Sequence, residues 1–193
     1  MILNILKTLP WFILGSAIFA VPSILLIGAL FAPVDVESSF LGTEWVAERF
    51  MNLDGILEDG QDPASATADF NYMFAWLNVN LLISTIVISL GWAIGSHFLN
   101  IDEPGKAKFF AITWIIVSGL LVGILLLVNY AILLWGDTFY AAQDITTASM
   151  NTMVLLTTIY YGLMHWLSCV LGTARQARSA VLFANQLPAR NYL

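Results

Sequence analysis

Charge is scarce in this chain. Only 10% of its 193 residues are Asp, Glu, Lys or Arg, where a soluble domain carries about 25%. A water-soluble fold of this length has too little interior to hide a composition that is 59% hydrophobic. Cysteine is almost absent. The single Cys169 excludes an internal disulfide and any multi-cysteine metal site. Cations are few as well: seven Lys and Arg with no run among them, and a formal net charge of −6, exclude nucleic acid as a partner, since phosphate binding needs clustered positive charge. No Ser/His/Asp set, HExxH or phosphate loop occurs, so the expected function is not enzymatic.

What the chain has is apolar length, with a mean hydropathy of +0.82. Four stretches, about 9–32, 72–99, 109–135 and 146–172, are long enough to cross about 30 Å of hydrocarbon, and none contains a charged side chain. The expected fold is an all-α membrane protein: a four-transmembrane-helix bundle forming a single polytopic domain over 1–193, with an outer loop at 33–71 and a tail at 173–193. The first stretch reads as a retained span. Its apolar run exceeds the roughly 7–15 residues of a signal core, and a cut after Ala32 would leave Leu30 where a small residue is needed. Pro10 falls near the start of this helix and Pro22 is expected to kink it.

Charge placement sets a direction. Lys7, Lys106, Lys108, Arg175, Arg178 and Arg190 lie in the N-terminus, the second loop and the tail, and only Arg49 lies in the first loop. The positive-inside rule makes the first group cytoplasmic, with both termini. Eleven of the thirteen acidic residues fall on the opposite side. The expected setting is a bacterial inner (plasma) membrane.

Within the first loop, Val46, Phe50, Leu53 and Leu57 recur at helical spacing beside Trp45, behind a possible cap at Ser39 or Thr43. This pattern predicts a short amphipathic helix on the outer surface. Asp54 to Asp62 is acidic and glycine-punctuated but departs from the EF-hand spacing, so it reads as a solvated loop. Pro63 to Ala68 reads as a small-residue linker. The tail is predicted to be a cytoplasmic helical extension from Thr173 to about Gln186, with Ala174, Ala177, Val181 and Ala184 on one stripe.

Helices associate in lipid through close packing and interhelical hydrogen bonds. Gly91 and Gly95 form a GxxxG in the second span, Gly119 and Gly123 another in the third, and Ser168 with Gly172 a small-xxx-small pair in the fourth. These glycines are expected either to pack the second span on the third or to face another subunit. Asn78, Asn80, Asn129 and Asn151 lie at similar depth toward the outer side and are expected to form a polar layer. Ser96, His97, Thr113, His165, Ser168 and Cys169 lie toward the inner side. His97 and His165 on separate helices raise the possibility of haem b ligation, although their depths differ by roughly 8 Å. No cofactor is expected. The seven Trp residues mostly fall near the interfaces and read as anchors.

The outer loop lacks the cysteine pair of claudin-like proteins, and the chain lacks the cysteines of four-span quinone-linked thiol oxidases. The leading expectation is a non-catalytic membrane subunit of a larger multi-protein assembly of the secretion, conjugation, motor or respiratory type. Its partners would be the lipid bilayer and other membrane subunits or copies of itself. A homo-oligomeric cation channel or small transporter is the first alternative, and a haem-bearing anchor the second.

Overall fold

The four apolar stretches fold as four long helices. A computed structural model describes residues 2–31, 49–51, 63–98, 106–134, 146–182 and 184. Helix α1 spans Ile2–Phe31 and runs unbroken through Pro10 and Pro22. Helix α2 spans Pro63–Gly95 and passes into a 3-10 turn at Ser96–Phe98. Helices α3 and α4 span Lys106–Leu134 and Thr147–Gly172. Each, α2 together with its 3-10 turn, contains a stretch long and apolar enough to cross a membrane: Ile5–Phe31, Ala64–Phe98, Phe109–Ile132 and Ala148–Gly172. The amphipathic helix expected in the first loop, and the acidic stretch after it, lie outside the described residues, apart from 49–51.

Two elements differ from the sequence reading. Pro63 to Ala68 is the first turn and a half of α2 rather than a linker. Proline at the first helical position loses no hydrogen bond, and the alanines that follow favour helix. At 33 residues, α2 is about 50 Å long and outreaches the hydrocarbon core. The tail is not one helix to Gln186. Helix α4 ends at Gly172, and a 3-10 helix follows over Arg175–Ala180. The cause is local competition for the backbone. The Ala174 N–H donates to Ser96 Oγ at 2.9 Å instead of joining the α4 ladder, and Ala174 adopts φ −55°, ψ 145°.

The chain divides into two compact units, and each long helix contributes one stretch to each. One comprises Met1–Ala20, Ile83–Ile124 and Tyr160–Leu193. Its core gathers Trp92, Phe110, Trp114, Cys169 and Val170, and the tail residues Ala180, Val181 and Ala184 complete it. The tail stripe therefore packs on the chain's own helices. The other comprises Val21–Leu82 and Leu125–Ile159. Phe70, Met73, Leu77 and Leu81 bury one stripe of α2 there, together with Leu125 and Met153. For helices placed in lipid, burial exchanges lipid contact for protein contact, so fit and polar matching hold such a unit together more than expulsion from water.

Candidate functional site: a histidine knot and open glycine faces

The most concentrated polar chemistry lies around His165, in the unit that carries the tail. The ring is 3% exposed. Its Nδ1 pairs with Ser89 Oγ of α2 at 2.8 Å, and its Nε2 with Ser118 Oγ of α3 at 3.1 Å. One ring nitrogen donates and the other accepts, and hydroxyl rotation suits either tautomer. A single side chain of α4 thus ties two further helices. The Trp114 indole stacks on the imidazole, with centroids 6.5 Å apart and planes 6° from parallel. Cys169, one turn on, holds Sγ 3.7 Å from each ring nitrogen. Trp114 Nε1 is buried without an ordinary acceptor, its neighbour being that weakly accepting sulfur.

Further bonds extend this polar set. His97 Nε2 lies 2.8 Å from Thr8 Oγ1 of α1. Trp92 Nε1 donates to Thr173 Oγ1 at 2.9 Å, and the Thr173 hydroxyl donates to the Cys169 carbonyl. Ser96 Oγ donates to the Ala93 carbonyl while accepting from Ala174 N–H. Trp166 Nε1 donates to the Leu182 carbonyl at 3.0 Å and holds the tail back on α4. Thr113 donates to the Phe109 carbonyl within α3. The two histidines therefore serve separate helix pairs. Among the described residues no three His, Cys, Asp or Glu side chains gather as a metal set.

The close helix crossing of this unit lies between α1 and α4. A Cβ built on Gly15 would come within 3.1 Å of the Leu167 carbonyl oxygen and 3.2 Å of the Ser168 Cα. One on Gly172 would meet Phe12 Cβ at 3.1 Å and Ala93 Cβ at 3.3 Å. Ser16 and Ser168 share a buried 2.9 Å hydrogen bond at the same crossing. Ser168 and Gly172 thus lie against α1. Gly91, Gly95, Gly119 and Gly123 are placed differently: a Cβ on any of them would meet nothing within 4 Å. The two GxxxG faces accordingly do not pack on one another within the chain.

In the other unit the asparagines bond both along and between helices. Asn129 Oδ1 accepts from Thr157 Oγ1 at 3.0 Å, and its amide donates to the Leu125 carbonyl. Asn151 Oδ1 accepts from Tyr130 at 3.1 Å. Asn78 and Asn80 donate to the carbonyls of Phe74 and Trp76, one turn back on α2. Asn78 and Asn129 are buried, whereas Asn80 and Asn151 are exposed.

Sequence reasoning missed Thr8, Gly15, Ser16, Ser89 and Ser118. Each is a small or hydroxyl residue in or beside an apolar run, and that was the available signal. Their partners lie 47 to 152 positions away, so spacing could not reveal them. In comparisons with known proteins, no family model matches the chain, and no curated protein or solved structure matches it either.

Proposed function

We propose that this chain is a non-catalytic integral membrane subunit of a larger multi-protein assembly, of the secretion, conjugation, motor or respiratory type. It crosses a bacterial inner membrane four times with both termini cytoplasmic. The observation that carries the reading is the state of the glycines. Among the described residues, Gly91, Gly95, Gly119 and Gly123, like Gly28 and Gly162, have nothing within 4 Å of a built Cβ, while the chain's own close crossing uses Gly15 and Gly172. Exposed small-residue faces let another helix backbone approach closely, which is how helices associate in lipid. Helix α3 is also the least covered: 11% of its apolar stretch is buried within the chain, against 50% for α2.

The polar knots support a scaffold role. Both nitrogens of His165 and the Nε2 of His97 already exchange hydrogen bonds with hydroxyls of other helices. Axial ligation of haem would have to displace such a bond, so no cofactor belongs to this reading. The test is purification of tagged protein in mild detergent beside Gly91→Leu/Gly95→Leu and Gly119→Leu/Gly123→Leu variants. The wild type is expected to carry other chains in fixed ratio, and at least one pair of substitutions to shed them with the fold intact. A wild type that runs as a solitary monomer sinks the proposal. Reporter fusions at each terminus and in the 33–71 loop test the direction separately.

A second reading, a homo-oligomeric cation channel, draws on Asn80 and Asn151, which stand on exposed helix surfaces. Polar groups that would otherwise face lipid are commonly matched by another helix or by water. Reconstituted protein should then conduct cations, and Asn80→Leu should reduce the current.

A further inference from the structure

At the C-terminal end of α1 and near the start of α2, three aromatic rings meet almost at right angles. Phe31 and Tyr72 have centroids 5.7 Å apart and planes at 73°. For Phe31 and Trp76 the values are 5.9 Å and 81°, and for Tyr72 and Trp76 they are 6.4 Å and 75°. All three belong to one compact unit. Each stays 42–45% exposed, so the edge-to-face contacts fix the rings without sealing them in. Tyr72 and Trp76 share a face of α2 at i, i+4, and Asp69 lies one turn before Tyr72 on the same stripe. Asp69 is the one acidic residue among the described residues, and it makes no ion pair among them. Asp35 and Glu37 follow Phe31 closely in sequence.

We propose that Phe31, Tyr72 and Trp76, with Asp69 beside them, form a recognition corner for the trimethylammonium headgroup of a choline-type phospholipid. The three rings are near perpendicular to one another and half-exposed, so a cation approaching the cluster can reach ring surface within the roughly 6 Å over which a ring face attracts it. The ring quadrupoles attract positive charge, and the carboxylate adds a long-range term of the same sign. A methylated ammonium suits such walls because it has no N–H to satisfy and is weakly hydrated. A primary ammonium needs acceptors that ring faces supply poorly. A lipid is the source chosen because Phe31 closes the apolar stretch of α1 and Tyr72 and Trp76 lie near the start of the uncharged run that follows Asp69, which the membrane-spanning reading sets near the headgroups. An aromatic anchor without headgroup preference is the competing account. The choice of a lipid rests on the membrane-spanning reading, which the reporter fusions test independently.

The experiment uses the full chain in a neutral detergent, equilibrated with equal amounts of phosphatidylcholine and phosphatidylethanolamine bearing identical acyl chains. Lipid retained on the protein is then read by native mass spectrometry. Retention of phosphatidylcholine should exceed that of phosphatidylethanolamine by about fivefold or more. Trp76→Leu and Tyr72→Leu should each bring the ratio near one, Asp69→Asn should lower it part-way, and Trp76→Phe should keep most of it. Tetramethylammonium chloride should displace the bound phosphatidylcholine, whereas sodium chloride at equal ionic strength should not. Thermal unfolding of the variants checks the fold, and these exposed side chains should leave it unchanged. Equal retention in the wild type, a preference that survives both leucine variants, or tetramethylammonium acting no differently from sodium overturns the proposal. Binding of tetramethylammonium without any lipid preference overturns it too.

Discussion

The α1–α4 crossing and the glycine faces of α2 and α3 use the same residue in opposite circumstances. At the crossing, Gly15 sits so near the α4 backbone that a methyl group would press on the Leu167 carbonyl. Backbone steps aside less readily than a flexible side chain, so a methyl there would require the crossing to open by a few tenths of an ångström. Along α2 and α3 a methyl at Gly91, Gly95, Gly119 or Gly123 would meet open space. Glycine costs helix propensity relative to alanine. At Gly15 that cost is offset by a crossing within the chain, and on the open faces no described residue offsets it. In lipid, a motif identifies a surface that permits close approach; it does not identify the partner.

The largest effect should come from crowding the crossing. Gly15→Leu is expected to lower the stability of the isolated chain by about 3 kcal/mol or more, as overpacking against backbone does. Thermal unfolding in mild detergent measures it. Gly172→Ala should cost less, since its Cβ would meet the side chains of Phe12 and Ala93. The matching substitution Gly119→Leu should leave that unfolding transition within about 0.5 kcal/mol of wild type while removing copurifying chains. Equal destabilisation at Gly15 and Gly119 would erase the contrast.

Next in size is the histidine knot. His165→Leu removes two interhelical hydrogen bonds and leaves the buried Ser89 hydroxyl unmatched by the ring. A loss of about 2 kcal/mol is expected, read by the same unfolding measurement. His165→Gln should recover part of it, because an amide can both donate and accept. Smaller again is Asn129→Leu. Thr157 keeps the Met153 and Val154 carbonyls as acceptors, so the loss should be about 0.6 kcal/mol, the mean for interhelical bonds in lipid. The smallest change should follow Trp166→Phe, which removes only the partly exposed bond to the Leu182 carbonyl, at about 0.5 kcal/mol. Its effect should be sharper in proteolysis of the tail than in global unfolding.

The four long helices were legible because apolar runs without internal charge have few other stable forms in lipid, where every backbone group must be paired within the segment. Their ends were less legible. The start of α2 at Pro63 was hidden because hydropathy marks the apolar run, while the helix begins in the small and polar residues before it. The break after Gly172 was hidden because its cause, Ser96, lies 78 positions from Ala174. His165 was visible as a lone ionisable residue, yet Ser89 and Ser118 were not, because a serine in an apolar run usually bonds its own helix.

The sequence by itself determined four helices long and apolar enough to cross a membrane, since composition and run length act locally. It also marked the small and polar residues that could mediate contact. Only the tertiary structure decided which of them contact one another. Gly15 and Gly172 were drawn into a crossing while the other six described glycines were left open, and His165 was given two serines from different helices. The physical reason is that a helix face carries no label for its neighbour. Which faces meet is settled by simultaneous fit among segments far apart in sequence, and no single stretch contains that information.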